Sequence, residues 1–298
     1  MVATTLPRHW LSGLFLALCV LLAGGCTLAG SPVRATGQET VLAVTESNRL
    51  VRFTAGQPGR LVSSRPLVGL RPGETVLGMD HRPTDHQLFA VGSSNRLYRV
   101  DPLQATATPV NAEPFALPLT GSAFGVAFDP ASGRLVVIGD TGQRLRIDVD
   151  RGSVVDVDER LPGVQTGIPL AYAPEDAQAG KRPALVATAF GPTGRDPSTF
   201  THYAIDAAWG VLVTIGPPAA DTASGQFSPL HTVGELGAGP FERASFTIPR
   251  GPWMGYAALT PANATASTWV EVDLKTGAAR RIGPIGGPEA VRAVALEP

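Results

Sequence analysis

Cysteine is nearly absent from this chain. The 298 residues contain two cysteines, Cys19 and Cys26, and both lie close to the N-terminus. All later positions lack a thiol for a disulfide, for a cysteine-ligated zinc ion or for nucleophilic attack. These three kinds of chemistry are therefore excluded from everything that follows Cys26.

Positive charge is also sparse and scattered. Only Lys181 and Lys275 are lysines, the formal net charge is -1, and no more than two basic residues stand side by side. A basic stripe is the usual electrostatic signature of nucleic-acid binding, so nucleic acid is not an expected partner. Past the N-terminal region, no apolar run is long enough to cross a bilayer as a helix.

The N-terminal region has the composition of a secretory leader. Arg8 precedes an apolar stretch over residues 11–25, which is too short for an ordinary transmembrane helix but suits the centre of a signal peptide. The stretch ends in LAGGC at residues 22–26, which resembles the bacterial lipobox, although Ala23 stands where leucine is commoner. We expect lipidation of Cys26; the alternative is a plain signal peptide cut nearby.

The segment that follows Cys26 predicts how the protein is attached. Residues 27–38 are small and polar, as in a flexible tether. Thr27, and not an aspartate that would signal inner-membrane retention, follows the cysteine. We expect a lipid anchor in the outer membrane, facing the periplasm or the cell surface, with the lipid as the only membrane contact.

A repeat dominates the remaining sequence. The pairs Arg49-Leu50, Arg96-Leu97 and Arg144-Leu145 lie 47 and 48 residues apart, and each follows a tight polar turn and opens an alternating strand. A period in this range, built only of strands, indicates a β-propeller. The fold class predicted for residues 39–298 is therefore an all-β propeller, after a signal peptide over residues 1–25 and a lipidated tether over residues 26–38.

The first two full repeats have strands in a fixed order. Apolar runs over residues 75–80 and 123–129 are typical of innermost strands, which are buried on both faces. Second strands follow at residues 87–91 and 134–138, and third strands begin with the Arg-Leu pairs. Residues 153–157 predict an outer strand, with valines inward and aspartates outward.

Later repeats show the same order with drift. We assign residues 184–190 and 201–206 to the middle strands of a fourth blade, and residues 255–260 and 268–273 to those of a fifth. Residues 276–286 supply the last outer strand. The terminal VRAVALEP then completes the first blade beside residues 39–53, which removes an open sheet edge. Five blades are predicted, and six remain an alternative because residues 207–250 are irregular enough to contain another.

Ordered segments along most of the chain resemble one known family. They are VGLRPGETVLGMDHRP (68–83), QLFAVGSSNRLYRVDP (87–102), FGVAFDP (124–130), PLAYAPEDAQAG (169–180) and VDLKTGAARRIGPIGG (272–287). These segments resemble the bacterial domain-of-unknown-function family DUF4394. The resemblance implies a secreted, propeller-like repeat domain without an assigned activity, and it transfers no functional residue.

An acidic segment has part of the spacing of a calcium loop. Asp148, Asp150 and Glu159 fit the first, third and last positions of an EF-hand loop, but Gly152 and Ser153 occupy the fifth and sixth positions, which need a ligand and a glycine. The segment also alternates like a strand. We interpret these carboxylates as structural.

A second cluster contains histidines. His81 and His86 flank a polar turn that also carries Asp80 and Asp85. A structural zinc site needs four ligands of fixed geometry, so a solvated turn is the preferred interpretation. No G-x-S-x-G, P-loop or H-E-x-x-H motif occurs either, and we predict no catalytic residue, no metal and no cofactor.

The turns between the second and third strands predict a binding rim. We assign these turns to residues 45–48, 92–95, 139–142, 191–201 and 261–267. The fourth is long, and the long crossover over residues 216–242 is placed on the same face; variation in loop length on one rim often marks binding. The candidates are Glu46, Asn95, Asp140, Arg195 and Asp196. The alternative is that they only satisfy backbone groups of the turns.

The sequence thus favours a lipid-anchored binding or scaffolding module, a monomer with a protein or glycan partner at the cell envelope and no catalysis. The alternative is a calcium-dependent propeller hydrolase or lactonase. That enzyme needs carboxylate or amide side chains from several blades near the central axis. The innermost strands predicted here are mostly Val, Gly, Ala and Phe, which offers few such ligands.

Overall fold

A computed structural model describes residues 37–193, 199–216, 229–251 and 253–298, all of which belong to the unit Pro32–Pro298. Within these ranges the secondary structure is entirely β, with twenty strands in five four-stranded antiparallel sheets. No helix that could span a membrane occurs in this part of the chain. The expected signal peptide, Cys26 and all but the last two residues of the expected tether lie outside the described residues.

The strands are joined by turns within the blades and by crossovers between the blades, the longest of which runs from Val154 to Leu185. In chain order they are β1 (Thr40–Thr45), β2 (Arg49–Thr54), β3 (Gln57–Pro66), β4 (Val76–His81), β5 (Leu88–Gly92), β6 (Arg96–Asp101), β7 (Thr106–Pro109), β8 (Phe124–Phe128), β9 (Leu135–Gly139), β10 (Arg144–Asp148), β11 (Ser153–Val154), β12 (Leu185–Pro192), β13 (Phe200–Asp206), β14 (Val211–Ile215), β15 (Leu230–Glu235), β16 (Arg243–Thr247), β17 (Met254–Thr260), β18 (Thr268–Asp273), β19 (Ala279–Pro284) and β20 (Val291–Leu296).

The five sheets are the blades of a propeller. From the axis outward, the strand orders are β20-β1-β2-β3, β4-β5-β6-β7, β8-β9-β10-β11, β12-β13-β14-β15 and β16-β17-β18-β19. The first strand of each blade contacts the first strands of both neighbouring blades, so these five strands surround the axis. The predicted five-bladed propeller is confirmed, and the six-bladed alternative is wrong.

Strand β20 closes the ring, as predicted. It pairs antiparallel with β1, with Ala43 opposite Val294 and Leu42 opposite Ala295. The last strand of the chain therefore becomes the innermost strand of the first blade. The inner edge of β1 is thereby paired and cannot offer a template for aggregation.

Apolar side chains fill every interface between blades. Five buried clusters are present, and each joins one pair of neighbouring blades. Strand β5 shows how the alternation achieves this. Leu88 and Ala90 point into the cluster shared with the first blade, whereas Phe89 and Val91 point into the cluster shared with the third. Both faces of a blade are buried, so its strands read as continuous apolar runs.

The fourth blade differs from the sequence interpretation, whereas residues 255–260 and 268–273 are the middle strands of the fifth blade, as predicted. Residues 184–190 and 201–206 correspond to the innermost and second strands of the fourth blade, not to its middle pair. The irregular segment 207–250 contains the rest of that blade, β14 and β15, and the innermost strand β16 of the fifth. The expected strand over residues 153–157 shortens to Ser153–Val154 because the chain then leaves to form the crossover to the fourth blade.

The strand order defines two faces of the propeller. The upper face carries the turns between second and third strands and the crossovers between blades. The lower face carries the turns between first and second strands, and the five innermost strands end there. Thr193 and Thr199, the described ends of the connection between β12 and β13, therefore lie on the lower face and not on the predicted rim.

Candidate functional site

Glu46 lies on the upper face, as its turn assignment requires. Its carboxylate forms salt bridges with Arg243 and Arg292, which begin the innermost strands of the fifth and first blades. The backbone amide of Glu46 also donates to Ala290 at 3.0 Å. Glu46 thus ties one turn to the upper end of the central axis.

Asn95 and Asp140 occupy corresponding upper turns. The Asn95 side-chain oxygen accepts from the backbone amide of Leu119 at 2.8 Å, which joins its turn to the next crossover. Asp140 accepts from both the amide and the hydroxyl of Ser122, at 3.1 and 2.6 Å. Among the described residues no bond joins Glu46, Asn95 and Asp140 to one another, since each belongs to a different blade. The structure shows scaffold bonds at all three.

Arg195 and Asp196 lie outside the described residues. The connection that contains them joins the first and second strands of the fourth blade, so its assignment to a turn between second and third strands was wrong. The supposed crossover 216–242 also divides in two: Gly216 and Pro229, the described ends of the connection from β14 to β15, lie on the lower face, and residues 236–242 form the crossover proper.

The acidic segment and the histidine turn do not converge on a metal site. Asp148 pairs with Arg134 and Asp158 pairs with Arg160, while Asp150 pairs with Arg82. Over the described ranges, no three His, Cys, Asp or Glu side chains are grouped so that they could hold a metal ion.

A cavity lined by several blades lies at the lower end of the central axis. A cavity of about 390 Å³ is present there, and all five blades contribute to its wall. This volume is within the range of small-molecule pockets, roughly 300–1,000 Å³. We call it the lower cavity.

A five-fold pattern in the sequence builds this wall. Each innermost strand carries, at its lower end, a triplet whose third residue is proline: HRP (81–83), FDP (128–130), FGP (190–192), TIP (247–249) and LEP (296–298). In four blades the strand ends at the first residue of the triplet, whereas β12 ends at the proline, Pro192. The first residue of every triplet lines the lower cavity. Proline lacks a backbone amide donor, so it is suited to a strand end at the axis, where no further strand pairs.

The wall of the lower cavity has two chemically different sides. The third, fourth and fifth blades supply its aromatic side: Phe128, Phe190, Phe200 and Phe246. Of these, Phe190 and Phe200 are partly exposed, whereas Phe128 and Phe246 are buried behind them. The first and second blades supply its polar side: Glu39, Asp80, His81, Arg82, His86 and Glu297.

Asp80 is an exception among equivalent positions. The residue before each strand-end triplet is Asp80 in the second blade and alanine in the first, third and fourth blades. Its carboxylate accepts from the amides of His81 and Phe128, each at 2.8 Å. Burial raises the pKa of Asp80 to about 7, although the two amide bonds oppose the rise.

The neighbours of Asp80 are either neutral or already paired. Burial lowers the pKa of His81 to about 4, so its ring is uncharged at pH 7. Arg82 donates to Asp85 at 2.9 Å and to Asp150 at 2.7 Å, so two carboxylates already surround its guanidinium. Within the described wall, Asp80 is thus a partly buried carboxyl group that accepts hydrogen bonds only from backbone amides.

The rim prediction did not include the lower cavity. Its residues come from strand ends separated by dozens of positions, and each alone is an ordinary end of a buried strand. The repeated proline triplet is the signal that could have identified it, because aligning the five strand ends shows Asp80 in place of alanine.

Comparison with solved structures finds distant similarities. Similar chains include one in a nidogen/laminin complex, at 8% identity and TM-score 0.48, covering 87% of this chain and 98% of that one. TolB from Acinetobacter baumannii has 11% identity and TM-score 0.42, with coverage of 86% and 55%. Hydrazine synthase from Kuenenia stuttgartiensis has 15% identity and TM-score 0.40, with coverage of 70% and 49%. The chain spans about half the length of the last two.

Sequence comparison is more specific. No curated protein matches the chain. The family model described as "Domain of unknown function (DUF4394)" matches residues 49–295, from the first Arg-Leu pair to the closing strand. The match covers most of the chain, and this protein therefore belongs to the DUF4394 family.

Proposed function

We propose that this protein is an extracytoplasmic, lipid-anchored binding module that takes a small organic ligand into the lower cavity without transforming it. The observation that supports this proposal is the lower cavity itself, a concave site with one aromatic and one polar side. Small-molecule sites combine mainly apolar walls with a few polar groups that orient the ligand. The described candidate side chains of the upper turns, Glu46, Asn95 and Asp140, bond instead to the scaffold.

No feature of the described residues favours the calcium-dependent hydrolase. Near the axis, that reaction needs several carboxylate or amide ligands around the ion. The wall of the lower cavity contains Glu39, Asp80 and Glu297 beside a neutral histidine and phenylalanines, but no three carboxylate or histidine side chains of the described residues are grouped to hold a metal ion. These groups are suited to recognition of a ligand by shape and charge.

The attachment is proposed from the leader and from the place where the described chain begins. Gly37 and Glu39 lie on the lower face, since β1 starts there, and Glu39 lines the lower cavity. A lipid on Cys26 would therefore hold the protein through a tether that leaves beside the cavity mouth. Replacing Cys26 by Ser should move the full chain from the membrane fraction to the soluble fraction, and unchanged fractionation would exclude lipid anchoring.

A thermal-shift screen tests binding at the lower cavity. A ligand that binds only the folded state raises the melting temperature by mass action. We would screen the full chain with amines, sugars, lactones, peptidoglycan fragments, calcium and EDTA. Phe200→Ala, which removes part of the aromatic wall, should abolish the shift produced by a ligand.

The matched control is Trp209→Ala. Trp209 is also a partly exposed aromatic residue, but it lies in an upper turn between β13 and β14. The shift should persist in this variant. A shift that is lost with Trp209→Ala and kept with Phe200→Ala would contradict the lower cavity as the binding site.

A further inference from the structure

We propose that the ligand of the lower cavity is an organic cation, an amine or ammonium compound whose charged group lies against Asp80 and whose apolar part lies against Phe190 and Phe200. This inference rests on the proposed function, since it names the chemical class that the lower cavity would bind. Three observations support it separately: the excess of negative charge around the cavity, the lack of a cationic side chain paired with Asp80 among the described residues, and the aromatic wall.

Negative charge predominates around the lower cavity. The charged groups of the described wall, together with their salt-bridge partners, are the carboxylates Glu39, Asp80, Asp85, Asp150 and Glu297 and the guanidiniums Arg52, Arg82 and Arg250. A concave site lined by an excess of one sign concentrates ions of the opposite sign. The electrostatics of the described wall therefore favour a cationic ligand over an anionic one.

Asp80 is the carboxylate available to such a ligand. Glu297 pairs with Arg52, while Asp85 and Asp150 both pair with Arg82. The two hydrogen bonds of Asp80 come from neutral backbone amides, so no side chain of the described part neutralises its charge. A buried charge without a counterion is costly, and an incoming ammonium group would offset that cost.

The aromatic side suits the remainder of an organic cation. Phe190 and Phe200 are partly exposed and belong to the fourth blade, whereas Asp80 belongs to the second. The faces of aromatic rings attract cations, and their edges and faces both pack against apolar groups. Carboxyl and aromatic groups on different walls of one cavity are the arrangement that an amphipathic amine requires.

Three size-matched probes test the charge preference. Phenethylammonium, 2-phenylethanol and phenylacetate share a phenyl ring and differ in the charge of the other end. We would titrate each into the full chain by isothermal calorimetry at pH 8. Phenethylammonium should bind at least tenfold more tightly than either of the other two.

The pH dependence tests the role of Asp80 in the native sequence. The groups that face Asp80 across the cavity are Glu39 and Glu297 from the first blade, His81, Arg82 and His86 from the second, and Arg250 from the fifth. With a pKa of about 7, Asp80 ionises between pH 6 and pH 8, so phenethylammonium should bind about tenfold more tightly at pH 8. The probe's amine, like that of lysine, stays protonated over this range. Binding of 2-phenylethanol should not change.

A pair of variants assigns the effect to one carboxylate. Asp80→Asn should weaken phenethylammonium binding at pH 8 at least tenfold and remove its pH dependence, while 2-phenylethanol still binds. Asp101→Asn removes one negative charge from the end of β6, in the same blade but outside the wall of the lower cavity, and it should leave binding unchanged. If Asp80→Asn fails to fold, the pH series on the native chain decides.

Two groups of results would overturn the cation assignment. Equal or tighter binding of 2-phenylethanol or phenylacetate would show that the cavity binds ligands but does not select cations, which leaves the proposed function in place. Absence of pH dependence, or no binding of any probe, would also overturn it. If none of the three probes binds, the broader ligand screen with Phe200→Ala and Trp209→Ala still tests the proposed function independently.

Discussion

His202 shows how one buried polar residue makes the stability of the propeller depend on pH. Its ring is stacked on Phe190, with centroids 4.2 Å apart, and its Nε2 lies 2.6 Å from the Thr188 hydroxyl. That hydroxyl donates to the carbonyl of Tyr203 at 2.8 Å. Burial is the main cause that lowers the pKa of His202 to about 3, with the charge of Arg144 acting in the same direction.

The sign of the effect follows from this depressed pKa. Above pH 6.5 the histidine is neutral in both the folded and the unfolded states, and the stability is fully present. Below that pH the unfolded state takes up a proton that the folded state does not. The free energy of unfolding should therefore fall, by up to about 1.4 kcal/mol per pH unit from this group, until the pH approaches 3.

Chemical denaturation between pH 7 and pH 4 measures this contribution. His202→Phe keeps the stacked ring and leaves the Thr188 hydroxyl its bond to Tyr203, so the variant should lose less stability on acidification than the native chain. His86→Asn is the control, since His86 is exposed and its φ of 60° is one that asparagine tolerates. Equal slopes for the native chain and His202→Phe would contradict the account.

Glycine at the axis determines how closely the blades approach. A Cβ atom on Gly125 would lie 2.5 Å from the backbone nitrogen of Thr188 and 2.6 Å from the carbonyl carbon of Ala187. Both are main-chain atoms of the neighbouring innermost strand, which cannot rotate away. Gly125→Ala should therefore destabilise the protein by roughly 1–3 kcal/mol, as overpacking of a dense core does.

Thermal and denaturant unfolding of Gly125→Ala would measure this cost. Gly283→Ala is the matched control, because Gly283 is also a strand glycine and its nearest neighbour would be the side chain of Pro58 at 3.7 Å. The control should be neutral or slightly stabilising, since alanine reduces the freedom of the unfolded chain. Equal stability of the two variants would argue against close contact at the axis.

At the scale of elements, the pairing of β1 with β20 is the contact that makes the ring complete. Ala43 and Val294 are opposite each other and both point into the cluster between the fifth and first blades. Leu42 and Ala295 are also opposite each other and point into the cluster between the first and second blades. A shift by one residue would exchange these two faces.

A cysteine pair tests this register. Ala43→Cys with Val294→Cys should form a disulfide, because directly opposite residues have the separation that the bond requires. The crosslink encloses most of the chain and should add roughly 2–4 kcal/mol to the free energy of unfolding. Mass spectrometry before and after reduction detects it.

The off-register control pairs Ala43→Cys with Ala295→Cys. Those side chains point to opposite faces of the sheet, so no disulfide should form. A crosslink in the control and none in the matched pair would show that β20 is placed in a different register. For the matched pair, unfolding in guanidinium with and without a reductant measures how much the disulfide adds to the free energy of unfolding.

Elements also show where sequence reasoning succeeded and where it failed. The Arg-Leu pairs were informative because Leu50, Leu97 and Leu145 are all buried at the start of third strands. The fourth blade was misassigned because it lacks such a pair. Its innermost strand, Leu185–Pro192, carries Thr188 and alanines in place of a continuous run of large apolar residues. The composition of this strand alone does not show whether it is the innermost or a middle strand of its blade.

At the scale of the whole molecule, ring closure makes a binding site that no single repeat contains. Every blade contributes one strand end to the lower cavity, so a ligand there contacts parts of the chain that are far apart in sequence. The binding rim was predicted from the lengths of the loops. A long loop indicates only that the scaffold tolerates insertions at that place. From the sequence alone, Asp80 is expected in a solvated turn. Only the closed ring brings Asp80, Phe190 and Phe200 into the wall of one cavity.

The lower cavity is most directly tested by hydrogen exchange of the full chain, read by mass spectrometry with and without saturating phenethylammonium at pH 8. The account predicts slower exchange in peptides that carry the lower strand ends and their turns, around residues 81–87, 128–134 and 247–250. Peptides from the upper turns at residues 45–48, 92–95 and 139–142 should not change. Protection confined to the upper turns, or none at the lower face, would contradict the account.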